Sequence, residues 1–176
     1  MPNHLMRKFQ RSTAFLALLS TALASHAAGA NRYTQHNLVA DIPGIADQTD
    51  PSLINPWGIS MSATSPFWIS NNHAGVAAVY NGQGQPTPAA SPLVVRIPVP
   101  TGDTQPAAST RQVFNDTTGF NISGQPATFI FATEDGTISG WNPSADRANS
   151  IVLVDNSTPG AVYKGLAVAN LSLIHI

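Results

Sequence analysis

The chain has 176 residues, enough for one domain, with 10% charged residues, 13 glycines, 14 prolines and a formal net charge of −1. It has no cysteine, which excludes a disulfide and a thiolate metal site. Gly/Pro punctuation between short apolar runs suits an all-β chain with many turns.

Residues 1–30 read as a signal-peptide helix. Arg7, Lys8 and Arg11 give a basic start, and residues 14–24 form an apolar run too short to cross a bilayer. Ser25-His26-Ala27 and Ala28-Gly29-Ala30 both offer small-x-small cleavage sites. Cleavage leaves five basic against nine acidic residues, a net charge of −4. No basic stripe then remains to neutralise phosphates, so nucleic acid is not an expected partner. The mature chain has no second apolar span, so the expectation is an exported product with no stable membrane span. It would be extracellular, surface-bound or periplasmic, facing an unknown extracellular ligand or protein.

Residues 31–56 form an N-terminal arm, with one short strand expected at 38–42 and bends at Pro43-Gly44 and Asp50-Pro51. Strands are expected at 57–62, 67–72, 76–81 and 93–99. After a polar loop over 100–110, four more are expected at 111–115, 128–133, 137–142 and 151–155. Residues 162–169 read as the opening strand of another unit. Residues 129–142 contain the strongest hairpin signal. Two runs rich in β-branched and aromatic residues flank Asp135-Gly136, a pair that favours φ > 0 at both positions of a two-residue turn. The run 129–132 is apolar on both faces, so it is expected to be covered on both sides.

These strands make an internal repeat. Ile69 aligns with Phe131, Gly75 with Gly136, Tyr80 with Trp141 and Asn81 with Asn142. Four strands per unit at a period near 50 residues is the sequence signature of a β-propeller. The expected organisation is a first blade over 57–110, a second over 111–160 and the start of a third over 161–170. Trp57, Trp68 and Trp141 are expected to pack between blades rather than to form a sugar platform. Residues 171–176 (Leu-Ser-Leu-Ile-His-Ile) match what a transposon-end sequencing adapter encodes in this frame. They are expected to be an artefact, with the natural frame continuing past Asn170.

The segments Asn55-Pro56-Trp57-Gly58-Ile59, Ser65-Pro66-Phe67-Trp68-Ile69-Ser70, Tyr80-Asn81-Gly82 and the run over 129–143 carry a resemblance. So do Val154-Asp155-Asn156 and the run over 161–167. Together they resemble an uncharacterised family of secreted bacterial proteins similar to NHL-type propellers. Some members carry a PEP-type C-terminal sorting segment, and members are about twice this length. The resemblance implies a propeller fold and export, and no particular activity.

In a propeller, the turns between second and third strands share one rim. That places Asn71, Asn72 and His73 beside Glu134 and Asp135 in successive blades. One reading gives this rim a calcium ion held by Glu134, Asp135 and the Asn71 or Asn72 carbonyls, and a catalytic reading adds His73 as a base. The alternative makes Asp135 a turn residue and His73 a solvated one. Asp155-Asn156 reads as a strand-ending turn. No zinc-type histidine spacing, nucleophile elbow or phosphate loop occurs. The expected function is an extracellular or surface binding scaffold of unspecified ligand, and the second reading is a calcium-dependent extracytoplasmic hydrolase or lactonase-like enzyme.

Overall fold

The computed structural model describes residues 33–169. The expected signal-peptide helix and the 171–176 tail lie outside the described residues. The chain divides into two compact units, Met1–Gln35 and His36–Ile176. The described part of the first, residues 33–35, has no strand. The described part of the second is all-β, without a helix.

The arm forms a short parallel pair, β1 (Val39–Ala40) with β2 (Gln48–Thr49). A four-stranded antiparallel meander follows: β3 (Pro56–Ser60), β4 (Phe67–Asn71), β5 (Val76–Tyr80) and β6 (Val94–Arg96). Next comes β7 (Ser109–Phe114), then a small hairpin of β8 (Asn121–Ile122) and β9 (Gln125–Pro126). The second meander is completed by β10 (Phe129–Thr133), β11 (Thr137–Trp141) and β12 (Ile151–Asp155), in the order β7-β10-β11-β12. All eight strands expected in the two repeats are present, seven with shifted ends and the last, Ile151–Asp155, as expected. The β8–β9 hairpin has no counterpart in the sequence reading. Neither sheet closes, and the described residues form no ring; the architecture shown is all-β, with several open sheets.

The sheets stack through the residues that alternate inward. Trp68 of β4 lies 4.2 Å from Phe129 and 4.7 Å from Trp141, ring centre to ring centre. Val79, Val95, Ile97 and Phe131 complete this cluster. On the other face of β10, Ile130 packs with Ile122 and Ala127, flanked by Leu153 and Leu166. The doubly apolar strand is therefore covered on both sides, because period-two alternation sends both of its residue sets into apolar layers. At the outer edge, the Arg96 N–H donates to the Ala148 carbonyl at 2.8 Å, and the Ser150 N–H to the Arg96 carbonyl at 3.0 Å.

The opening strands β3 and β7 lie side by side, and Gly58 sets how closely. A β-carbon there would come within 2.9 Å of Arg111 Cα. Gln112, fully buried, stitches the same seam. Its Nε2 donates to the Gly58 carbonyl at 3.1 Å and the Trp68 carbonyl at 2.5 Å, and its Oε1 accepts from the Ser70 hydroxyl.

Three expectations are corrected. The β10–β11 loop is Glu134-Asp135-Gly136, and only Gly136 has positive φ (82°). It thus has three residues, the last left-handed, rather than the two-residue turn with φ > 0 at both positions. Trp57 is 48% exposed instead of packed between sheets, since the bulge between Pro56 and Gly58 turns it outward. Residues 162–169 form no strand among the described residues. That segment has only isolated backbone contacts, chiefly the Tyr163 N–H to the Thr133 carbonyl at 3.2 Å, and no ladder of its own.

The arm is fastened by the Tyr80 hydroxyl, which donates to the Asp50 carboxylate at 2.7 Å; the Ser52 hydroxyl and N–H donate to the other oxygen. Burial alone would raise the Asp50 pKa. The hydrogen bonds from Ser52 and Tyr80 outweigh it and hold the group below its ordinary 3.8. Burial and the neighbouring Asp50 push Tyr80 well above its ordinary 10.0. The depressed Asp50 contributes stability above pH 3.8 that is lost as pH falls through its lower folded value. The raised Tyr80 contributes stability below pH 10 that is lost as pH rises beyond it. Tyr80→Phe is therefore expected to cost about 1 kcal/mol at pH 7 and to flatten both flanks of the stability profile. Urea titrations from pH 3 to 11 check this.

Candidate functional site

The loops after β4 and β10, the start of β3 and residues 161–164 meet on one rim. Each loop is short and ends on a left-handed glycine, Gly75 (φ 63°) and Gly136 (φ 82°). This turns the chain back sharply and leaves polar residues at the tip. Asn72 is the hub. Its N–H donates to the Asn55 carbonyl at 3.1 Å. Its side-chain amide donates to Glu134 Oε2 and to the Ser109 carbonyl, both at 3.3 Å, and its Oδ1 accepts from Asn55 Nδ2 at 3.3 Å. The sequence-based expectation that the two loops share a rim thus has a direct contact behind it.

Two residues of this rim were not singled out as site residues from the sequence. The Lys164 ammonium pairs with Glu134 Oε1 and stands 5.6 Å from the centre of the Trp57 ring. Trp57 is held by its indole N–H, which donates to Asn55 Oδ1 at 3.0 Å. Lys164 hydrogen-bonded to the carboxyl holds Glu134 below the ordinary carboxylate range, with Asn72 and the nearby His73 adding to the effect. A signal was available in the sequence: aligning Trp57-Gly58 with Lys164-Gly165 puts Lys164 at the start of the third expected unit, as Trp57 is at the start of the first.

The other expected site residues divide. His73 is exposed at the loop tip. Asp135 Oδ2 accepts from the Ala108 N–H at 2.7 Å, fixing the approach to β7. Asn71 is fully buried, and both its side-chain nitrogen and oxygen lack a hydrogen-bond partner. Its carbonyl accepts from the N–H groups of Ala74 and Gly75. For the calcium reading, both Glu134 oxygens and one Asp135 oxygen already have protein partners. Among the described residues no three His, Cys, Asp or Glu side chains group as a metal site would need.

The unpaired amide of Asn71 makes a clear expectation. Replacing a buried polar group that has no partner with an apolar one of similar shape removes a desolvation cost. Asn71→Leu is expected to raise stability by about 1 kcal/mol, read as a higher urea midpoint at unchanged slope.

The chain is similar to uncharacterised proteins of Acanthamoeba polyphaga mimivirus. One is 28% identical over 142 residues, covering 77% of this chain and 36% of that protein. A second is 30% identical over 138 residues, covering 75% of this chain and 33% of that protein. A third is 48% identical over 42 residues, covering 24% of this chain and 8% of that protein. The chain spans about a third of the length of the first two curated relatives. No family model matches the sequence. No solved structure matches it. These findings correct the resemblance to secreted bacterial NHL-type propellers: the relatives found are viral, and the bacterial, NHL-like assignment is withdrawn. Among the described residues, no helix is long and apolar enough to cross a membrane.

Proposed function

We propose that the two stacked sheets are successive blades of a β-propeller and that the protein is an exported binding scaffold whose ligand meets the rim described above. The observation that carries the reading is the convergence of Asn72, Glu134 and Lys164 from the loops after β4 and β10 and from the segment 161–164. Elements distant in sequence are held there around a half-exposed tryptophan, while Asn71, His73 and Asp135 frame the same loops.

The faces of the sheets support the blade reading. Phe129 and Phe131 of the second sheet are covered by the first sheet. Among the described residues, their repeat equivalents, Phe67 and Ile69, face the arm, and a cleft of about 490 Å³ remains between them, Leu38, Val39 and Leu53. A further blade would cover that face as the first sheet covers the second. Export rests on the pattern of residues 1–30.

Arrays of extracellular glycans and proteins, probed with the purified chain and with Trp57→Ala, test the reading. The expected result is at least one ligand bound by the parent chain and lost in the variant, with the urea midpoint changed little because Trp57 is half exposed. Equal binding by both proteins to every retained ligand would remove the rim from the function.

A further inference from the structure

Three consecutive opening segments line one groove. β3 supplies Ile59, with Met61 just past its end, β7 supplies Arg111 and Val113, and the segment after Lys164 supplies Leu166 and Val168. The groove has a volume of about 470 Å³, within the range of small-ligand sites. It is amphipathic along its length. Near the rim stands Arg111, which is exposed and makes no ion pair among the described residues. The apolar part of the lining is Ile59, Met61, Val113, Leu166 and Val168; Ile59 and Met61 are 61% and 50% exposed, while Val113, Leu166 and Val168 also pack against the Ile130 cluster. Asp116 also lines the groove.

We propose that this groove binds an amphiphile with a single carboxylate head and an unbranched apolar tail. The argument is charge complementarity. Arg111 presents a planar fork matched to a carboxylate, whereas Lys164 in the layer above is already committed to Glu134. The side chains of Ile59 and Met61, with those of Val113, Leu166 and Val168, take the tail. The inference rests on the reading of the protein as a binding scaffold and gives that scaffold a second site and a ligand class.

Isothermal titration of the chain with decanoate, below its micellar range, tests the proposal. One decanoate per chain is expected, with decylamine failing to bind. Arg111→Gln should weaken decanoate by about tenfold, the loss of one charge-assisted pair, and Ile59→Asp should abolish binding. Both positions are exposed, so the variants are expected to keep the parent circular dichroism. If Ile59→Asp unfolds, Arg111→Gln decides alone. Equal binding of decanoate and decylamine, an unchanged affinity in Arg111→Gln, or a groove closed by a second copy of the chain would each overturn the proposal. A failure here with array ligands still lost in Trp57→Ala would sink the groove and leave the rim reading standing.

Discussion

Trp68→Ala is expected to destabilise the chain by about 4 kcal/mol, as large aromatic truncations in a core do. Trp68 is 3% exposed and is the residue through which the first sheet grips the second. Its ring stacks on Phe129 at 4.2 Å and meets Trp141 at 4.7 Å and Phe131 at 6.4 Å. Aromatic contacts of this kind add about 0.5–1.5 kcal/mol each beyond area burial. The cavity left behind is bounded by two sheets that cannot collapse onto it without sliding, because Gly58 and Gln112 fix their seam. A loss of this size is a large fraction of the 5–15 kcal/mol typical of domains. Urea unfolding measures it, and near-ultraviolet circular dichroism should lose the coupled aromatic signal. Trp57→Ala is the internal control: a half-exposed ring held by one hydrogen bond and one cation–π contact should cost only about 1 kcal/mol. Equal losses for the two tryptophans would mean that Trp68 does not hold the sheets together.

That contrast also shows what the sequence made legible. Alternating apolar residues and Gly-Pro punctuation located eight strands and the hairpin over 129–142, because period-two patterning and turn chemistry act over a few residues. Phe129 and Ile130 announced a strand buried on both faces. Trp57, Trp68 and Trp141 looked alike in the repeat, yet a bulge beside Gly58 turned the first outward. Bulges depend on a neighbouring strand, which no local pattern contains. Residues 162–169 have the apolar character of a strand but find no ladder partner among the described residues, so hydrogen bonding rather than propensity decides their state there. The rim was half legible. Its two loops followed from the repeat, bringing Asn72 to Glu134, but Lys164 came from a segment read only as the start of another unit. Asp135 was readable as a turn residue, and its side chain does structural work on Ala108.

Gln112 provides the second large effect, and its chemistry differs from that of the aromatic cluster. Its amide makes two donations and one acceptance at a fully buried position between the opening strands. Gln112→Leu keeps most of the volume but removes the partner of the Gly58 and Trp68 carbonyls and of the Ser70 hydroxyl in a dry seam. At about 1–3 kcal/mol for each buried group left unpaired, the expected loss is about 3 kcal/mol, with Ser70 retaining only its contact with Ser109. Gln112→Glu separates hydrogen bonding from packing. A carboxylate cannot donate to the Gly58 and Trp68 carbonyls, whereas a protonated carboxyl can donate once. Burial beside carbonyl oxygens therefore raises the folded pKa of the new group above its unfolded value of about 4.3. The stability it retains is present below that value and is lost as pH rises through the raised folded pKa. The Gln112→Glu chain is thus expected to be more stable near pH 4 than near pH 7, opposite in slope to the contribution of Asp50. Parallel urea titrations of the parent and the variant read the difference, and an identical pH profile would show that the Gln112 donations contribute nothing to the seam.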